Sequence, residues 1–445
     1  MADLFGTDGV RGVANEKLTP ELALQLGRAG GYCLREQAEN SDEAAVVMGR
    51  DTRISGDMLA GALTAGLNSI GIDVLDAGII PSPAVAFLAR SYSAAGGVMI
   101  SASHNPAADN GIKFYDHRGY KISDALEEKI EEKMNLTLPV ADHPGIGSRR
   151  RQIDMLQEYI KKLVKSVDSK VSSLKVVIDC AHGAAYEAGP LLFEKLGVDF
   201  TVLHAKNRGD LINVECGATN TSSLQQRVME EGADLGIALD GDADRCILID
   251  EKGEKIDGDH IMCICGVDML RRNSLSQNRV AATRYSNLGL KEALNREGGE
   301  LVLAPNGDKY VLEKMRKEDL NLGGEKSGHI IFLDYTTTGD GLLTALKVMS
   351  VMVRRERALS ELGKLFSPWP QLMNNVKVER KEEWKENERI QEVIAEARED
   401  MDEGRIFVRA SGTEPVVRIM VEGREEEKLQ HWLSHLSELI AEELN

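Results

Sequence analysis

Short apolar runs rich in β-branched residues recur along this chain, separated by stretches with helical spacing. VVMG (46–49), GVMI (97–100), KVVID (175–179), LGIALD (235–240) and ILID (247–250) have the length and composition of buried strands. Leu126, Ile130 and Met134 recur at helical spacing after Ser123, which is placed to be the N-cap. Leu429, Trp432, Leu433, Leu436, Leu439 and Ile440 form an apolar stripe that predicts a core-facing helix near the C-terminus. This alternation predicts α/β domains with parallel or mixed sheets. Sheets of that kind bind ligands at the carboxyl ends of their strands. Several of the runs end in Gly, Asp or Ser, where a strand hands over to a functional loop.

A chain of 445 residues exceeds what one hydrophobic core can organise, so three or four domains are expected. Breaks are placed in HPGIGSRRRQ (143–152), near residue 256, and in SPWPQLM (367–373), where prolines interrupt the pattern. No short repeat of solenoid type is visible. The net charge of −18 argues against a surface that coats nucleic acid or anionic membrane. An anion can still bind where basic side chains and backbone N–H groups converge. The six cysteines (Cys33, Cys180, Cys216, Cys246, Cys263, Cys265) contain no CxxC pair, and Cys263-x-Cys265 lies in a run that reads as buried structure. A reduced, cytoplasmic chain without signal peptide or membrane-spanning segment is expected.

The strongest chemical signal is DGDADR, 240–245. Asp240, Asp242 and Asp244 alternate with small residues directly after a buried strand. Three carboxylates so close repel one another unless a cation holds them. Their hard oxygens suit Mg²⁺ or Ca²⁺. An EF-hand is disfavoured, because Arg245 occupies the position that needs Gly and the flanks read as strands. A solvated acidic turn is the bland alternative. Arg245 is suited to a phosphate beside the metal, or to neutralising one of the aspartates.

RASGTEP (409–415) with Arg418 makes an anion nest: Ser411, Gly412 and Thr413 offer donors in a tight turn, and Arg409 and Arg418 offer charge. The alternative is an ordinary turn between strands. In GGEKSGH (323–329), Glu325 and Ser327 suit a polyol and His329 suits proton transfer near neutral pH. The Gly-Lys-Ser order of a P-loop is absent. FGTDGVRG (5–12) and GRDTRISG (49–56) place Arg11, Arg50 and Arg53 either for phosphate or for nearby aspartates.

Ser103, in SASHNP (101–106), has no GxSxG elbow around it, so no hydrolase triad is signalled. Its neighbour His104 is badly placed to be its base. Taken alone, Ser103 reads as a cap or turn residue. Beside a triple-Asp metal loop it reads as a phosphoryl carrier, since a phosphoserine can donate its group with metal assistance.

Taken together and in order, FGTDGVRG, GRDTRISG, SASHNP, GIKFYD (111–116), DGDADR, SNLG (286–289), GGEKSGH, TTGDG (337–341) and RASGTEPVVRIMVE resemble the α-D-phosphohexomutase superfamily over essentially the whole chain. The resemblance is strongest to its bacterial members acting on glucosamine phosphates. It implies an α/β fold of four domains around a central cleft: three related mixed α/β domains and a smaller C-terminal α+β phosphate-binding domain. Their expected limits are 1–150, 151–255, 256–368 and 369–445. It implies that phospho-Ser103 passes its phosphoryl group to glucosamine 6-phosphate and recovers one from a 1,6-bisphosphate, leaving glucosamine 1-phosphate for cell-wall precursors. Mg²⁺ would sit on Ser103, Asp240, Asp242 and Asp244, and the sugar 1,6-bisphosphate would serve as intermediate and activator.

Arg11, Lys113, Arg245 and His329 match positions around the transferring phosphate, and the C-terminal nest would hold the distal one. A small-molecule sugar phosphate is thus the expected partner, with neither nucleic acid nor membrane, and the resemblance admits a homodimer. The chain departs from the usual pattern at Lys326 (commonly Gln), His182 (Asn), Asn306 and Lys309 (an apolar residue and Arg), and Arg284-Tyr285 (small or apolar). Two rivals remain: a phosphomannomutase or phosphoglucomutase with the same chemistry, and a metal-dependent phosphatase with Asp240 as nucleophile. A sugar-phosphate sensor without turnover is a third reading.

Overall fold

The computed structural model describes residues 4–6, 8–38, 45–167, 170–411 and 415–445. Two compact units are present: Met1–Tyr285 with Glu297–Leu365, and Ser286–Arg296 with Phe366–Asn445.

The first sheet contains β1 (Val10–Val13), β2 (Ala45–Arg50), β3 (Asp73–Ile79), β4 (Gly96–Ile100), β5 (Asp109–Asp116) and β6 (Arg149–Arg151) in the order β1-β5-β4-β2-β3-β6. The second contains β7 (Lys175–Asp179), β8 (Asp199–Leu203), β9 (Leu235–Leu239), β10 (Cys246–Asp250) and β11 (Lys255–Ile256) in the order β11-β10-β9-β7-β8. The third contains β12 (Arg279–Thr283), β13 (Glu300–Ala304), β14 (Leu322–Gly324) and β15 (Ile330–Phe332) in the order β13-β12-β14-β15.

One plan underlies all three sheets. A first strand is joined through a helix to a parallel neighbour on one side, then through a second helix to a parallel neighbour on the other. The chain then turns and comes back antiparallel beside that last strand. SASHNP, DGDADR and EKSGH are that turn in the first, second and third sheet. Each lies at the carboxyl end of a parallel strand, where α/β sheets place their ligands. The three domains are thus related as the resemblance implied.

The first sheet is covered by the helices Pro20–Gln37 and Gly56–Ser69, whose Leu26, Leu34, Leu59, Leu63 and Leu67 join one apolar core with Val46, Val74, Val98 and Phe114. These helices meet at glycine: a Cβ on Gly66 would run into the Leu24 carbonyl, and one on Gly27 into the Leu63 carbonyl. Close approach without a side chain is what admits this crossing.

In the second unit, β16 (Gln371–Lys377), β17 (Arg405–Ala410) and β18 (Val416–Glu422) form an antiparallel sheet with β18 central. Helices Glu388–Asp400 and Glu426–Leu444 cover it and supply Ile390, Ile394, Leu429, Leu436, Leu439 and Ile440 to the core. Trp432 and Leu433 pack partly buried against it. SNLG belongs to this unit: the Leu288 amide donates to Glu422 Oε1 at 2.8 Å, and Arg405 pairs with Glu422 at 2.5 Å while also donating to the Ser286 carbonyl. Glu422 is fully buried, so these partners are what make its charge tolerable.

The expected strands all form. Ser123 stands at the N-cap of the helix Asp124–Met134, but its side chain makes no cap bond; its carbonyl receives Leu126 and Glu127. The stretch 143–152 is a break only in part, because β6 lies within it and pairs with β3. All six cysteines are buried and unbridged. Among the described residues no helix is long and apolar enough to cross a membrane.

Candidate active site

Ser103 is buried, 1% exposed, with φ at 51°. That left-handed backbone costs a non-glycine residue about 1–3 kcal/mol and persists only where neighbours enforce it. The neighbours are identifiable. Ser103 N–H donates to Ser101 Oγ (2.9 Å), which donates to Asp51 Oδ2 (2.5 Å). The Ser103 carbonyl accepts from Arg53 (3.0 Å) and from Asn213 of the second domain (2.9 Å). Arg53, 1% exposed, also donates to the carbonyls of Asn105 (2.9 Å), Asp109 (2.8 Å) and Pro106 and pairs with Asp51 (2.9 Å). Of its two sequence readings the aspartate pairing holds, and the guanidinium organises the whole serine loop. Arg50 likewise pairs with Asp57 at 2.6 Å.

The Ser103 hydroxyl donates to Asp240 Oδ2 at 2.5 Å, across 137 residues of chain. Gly241 permits this approach, since a Cβ there would collide with the Ser103 carbonyl. Asp240, Asp242 and Asp244 each offer an oxygen, and these oxygens lie within 4.8 Å of one another in a buried group. Asp240 Oδ1 accepts from Arg245 N–H (3.2 Å). Asp242 Oδ2 accepts from Ser82 Oγ (2.6 Å) and Lys113 Nζ (2.7 Å). Asp242 Oδ1 and Asp244 Oδ1 are buried without a hydrogen-bond donor. Burial, then the charges of Asp244 and Asp242, push the Asp240 carboxyl up to about 8. Burial works against Asp244 as well, but His329 and Lys113 outweigh it and hold that carboxyl low. Hard oxygens converging in a buried group, two of them without a donor, fit a Mg²⁺-like cation.

Lys113 is locked among carboxylates: Asp242, Asp8 at 2.9 Å and Asp244 at 3.8 Å. Against burial, Asp242 and Asp8 raise its pKa, so it is held as an ammonium ion. Asp8, which sequence reasoning passed over inside FGTDGVRG, also pairs with Arg11 and with Lys121 (2.5 Å). Lys121 reaches on to Asp308. Arg11 donates to Asn105 Oδ1 at 3.2 Å in the serine loop. His329 lies between Asp244 (3.5 Å) and Asp308 (3.4 Å), and the Gly339 amide donates to its Nε2 at 3.0 Å. That bond places the ring proton on Nδ1, facing Asp244. Burial lowers the His329 pKa, but Asp244 and Asp308 together raise it.

Arg245 Nε stands 3.9 Å from Asp240 and 3.8 Å from Asp244. Glu325 accepts from the Gly307 amide (3.2 Å) and from Ser327 Oγ (3.4 Å). Ser327 and Arg245 share a cavity with Asp240. Ser103, the three aspartates, Arg11, Lys113, Arg245, His329, Glu325 and Ser327 therefore gather in the first unit. In the second unit, Arg409 and Arg418 are direct cross-strand partners. Like charges so paired repel unless an anion offsets them. Ser411 is buried, and its carbonyl accepts from Lys381 at 2.5 Å. Gly412 and Thr413 lie outside the described residues.

Another ligand-rich group, Asp179, His204 and Cys216, is explained by hydrogen bonding. Asp179 already accepts from Ala181 (2.8 Å), Gly217 (3.0 Å) and His204 (2.9 Å). His182 packs edge-on against His204 with centroids 5.3 Å apart. Lys309 pairs with Asp124 and, at 3.0 Å, with Glu127, a point-charge role that an ammonium fills without Arg's fork.

The chain matches four domain families in sequence: phosphoglucomutase/phosphomannomutase alpha/beta/alpha domain I over residues 2–138, domain II over 157–253, domain III over 257–368, and the C-terminal domain over 373–439. Its fold is similar to that of a phosphoglucomutase/phosphomannomutase family protein from Burkholderia thailandensis, with TM-score 0.83, 24% identity, and 100% and 99% of the two chains covered. It is also similar to Aspergillus fumigatus N-acetylphosphoglucosamine mutase in complex with GlcNAc-6P and magnesium, with TM-score 0.68, 17% identity, and 99% and 96% covered. Fold and domains define a four-domain α/β phosphohexomutase.

Among curated proteins, the phosphoglucosamine mutase of Caldanaerobacter subterraneus subsp. tengcongensis is 50% identical over 450 residues, covering 100% of both chains. That of Clostridioides difficile is 45% identical over 453 residues, again covering 100% of both. The chain belongs to the phosphoglucosamine mutase family, intramolecular phosphotransferases of the isomerase class.

Proposed function

We propose that the protein interconverts glucosamine 6-phosphate and glucosamine 1-phosphate with Ser103 as the phosphoryl carrier. The observation that carries this reading is the 2.5 Å contact between Ser103 Oγ and Asp240 Oδ2 inside a buried three-carboxylate group. Phospho-Ser103 would give its phosphoryl group to the sugar's O1: the Ser103 Oγ–P bond breaks as the O1–P bond forms, and the O1 proton ends on the released Ser103 oxygen. The resulting 1,6-bisphosphate would return its 6-phosphoryl group to Ser103 Oγ. Lys113, fixed as an ammonium ion, serves as a donor to phosphoryl oxygens and not as the base. Arg11, Arg245 and His329 are assigned to the same group. Ser103, Asp240, Asp242 and Asp244 would hold Mg²⁺, which when bound would offset charge on the transferring phosphoryl group.

Glu325 and Ser327 are assigned to sugar hydroxyls. Arg409, Ser411 and Arg418, with Gly412 and Thr413, are assigned to the distal phosphate. Anchoring both ends of the substrate in this way lowers the entropic part of the barrier. The domain limits 1–150, 151–255, 256–368 and 369–445 belong to the same proposal, as do a sugar 1,6-bisphosphate activator, a cytoplasmic setting, supply of cell-wall precursors and a homodimer.

Peptide mass spectrometry tests the carrier. One phosphate is expected on Ser103, and Ser103→Ala should reduce mutase activity to background. Active enzyme that stays unphosphorylated at Ser103 after bisphosphate treatment would overturn the mechanism. Activity retained in Ser103→Ala but lost in Asp240→Asn, with release of inorganic phosphate, would identify a phosphatase instead. Rates on glucosamine, mannose and glucose 6-phosphates test the sugar; glucosamine 6-phosphate ranking last would refute that assignment.

A further inference from the structure

The helix Met155–Lys165 joins the first sheet to the second and packs against the helices Ser82–Ser91 and Ala188–Leu196. It also reaches the third domain. The hydroxyl of the fully buried Tyr159 donates to Asp340 Oδ1 at 2.9 Å, across 181 residues of chain. Lys347, on the helix Gly341–Arg355, donates to the Ser166 carbonyl at the end of this linker helix (2.7 Å). Lys162 stands over the Phe87 ring (5.1 Å) and 3.9 Å from Asp340 Oδ2, and its Nζ has no hydrogen-bond partner among the described residues. Lys162 therefore answers the buried charge of Asp340, while Tyr159 gives that carboxylate a direction.

Asp340 acts through its neighbours. Its Oδ1 also accepts from the Leu343 amide at 3.0 Å and so caps the helix Gly341–Arg355. Before it, the Gly339 amide holds His329 Nε2; after it, the Gly341 amide donates to the carbonyl of Ala243 at 3.0 Å, between Asp242 and Asp244. Neither glycine has room for a side chain: a Cβ on Gly339 would meet the Asp244 carbonyl, and one on Gly341 the Arg245 carbonyl. Ala243 has φ at 58°, a left-handed backbone that persists only where neighbours enforce it. The helix Ser82–Ser91 grips the same loop, since the Ser82 amide donates to the Asp242 carbonyl (2.9 Å) and its hydroxyl to the Asp242 carboxylate (2.6 Å). The linker helix thus touches both elements that hold the aspartate loop.

We infer that Tyr159 is a positioning residue for the three-aspartate loop, acting through Asp340 to set the stretch 337–341 that holds Ala243 and His329. This rests on the mutase reading above, which sets the loop's task. It gives a role to the TTGDG motif, which none of the transfer assignments uses.

Tyr159→Phe removes one oxygen and keeps the ring in the core. Mg²⁺ should then bind about three- to tenfold more weakly by isothermal titration, as loss of a charged hydrogen bond predicts. The kcat should fall about tenfold or more with KM for glucosamine 6-phosphate nearly unchanged, because a displacement of about 1 Å passed on from a distant residue costs up to about a hundredfold in rate. Asp340→Asn, which keeps an oxygen to cap the helix, carries the same expectation and decides the matter by itself if Tyr159→Phe does not fold. Combined, the two substitutions should cost little more than either alone, and fully additive losses would overturn the route through Asp340. A lowered Tm with Mg²⁺ affinity and kcat both within about twofold of wild type, well under one charged hydrogen bond, would reduce Tyr159 to a packing residue and defeat the inference, even with Ser103→Ala inactive. Weakened Mg²⁺ binding in Tyr159→Phe beside a fully active Ser103→Ala would uphold the positioning role and defeat the carrier reading.

Discussion

At the scale of single residues, the candidate site depends on groups that never touch substrate in the proposed reaction. Arg53 is the plainest case, with its guanidinium spread over four carbonyls of the serine loop and Asp51. Arg53→Met should leave several buried acceptors unanswered, at about 1–3 kcal/mol each. Thermal unfolding should register the loss, and kcat should fall far more than KM rises, because Ser103 loses its enforced backbone.

Asp240 carries a pH signature. Its folded pKa of about 8 lies above the ordinary carboxylate value, so between about pH 4 and 8 the metal-free folded state binds more protons than the unfolded state. Stability of metal-free protein should therefore fall as pH rises through that window. Asp240→Asn should flatten the fall in denaturant midpoints measured in chelator.

At the scale of elements, the repeated strand–helix–strand–helix–strand–turn–strand plan explains why the chemistry lies in turns. Each parallel strand delivers its last residues to one end of its sheet, and the antiparallel return forces a turn there. The same economy of space governs the helix pair behind the first sheet. Gly66→Ala should push a methyl group into the Leu24 carbonyl and destabilise the protein by about 1–3 kcal/mol in urea titration. A silent Gly66→Ala would show that the crossing relaxes freely.

At the scale of the whole molecule, a cation held by the buried three-carboxylate group would bind the folded state alone and so would stabilise it. Mg²⁺ should raise Tm by mass action, and chelator should lower it. In Asp242→Asn the Mg²⁺-dependent rise should largely vanish, with Tm in chelator below that of the wild type because buried Lys113 loses its nearest carboxylate. An undiminished rise would place the cation elsewhere.

Much of this was legible beforehand. Strands, turns and the aspartate triplet are local patterns, set by residues within a few positions of one another: alternation of apolar and polar groups, β-branching, and Gly or Asp at turns. The same locality made Ser103 and DGDADR visible as separate motifs, and the resemblance supplied their partnership. Sequence did not reveal what depends on side chains brought together from distant positions. Arg53 could be read for phosphate or for a nearby aspartate, and only the fold turns it inward onto the serine loop and Asp51. Asp8, Lys121 and Asp308 have no meaning until two sheets stand side by side. SNLG sits between β12 and β13 in the chain, yet Glu422 draws it into the C-terminal unit. Tyr159 and Asp340, 181 residues apart, meet only because the linker helix packs beside the start of the helix Gly341–Arg355. Local propensity is written into neighbouring residues and survives without a fold. Charge pairing, burial and pKa depend on distances that exist only once the chain has closed.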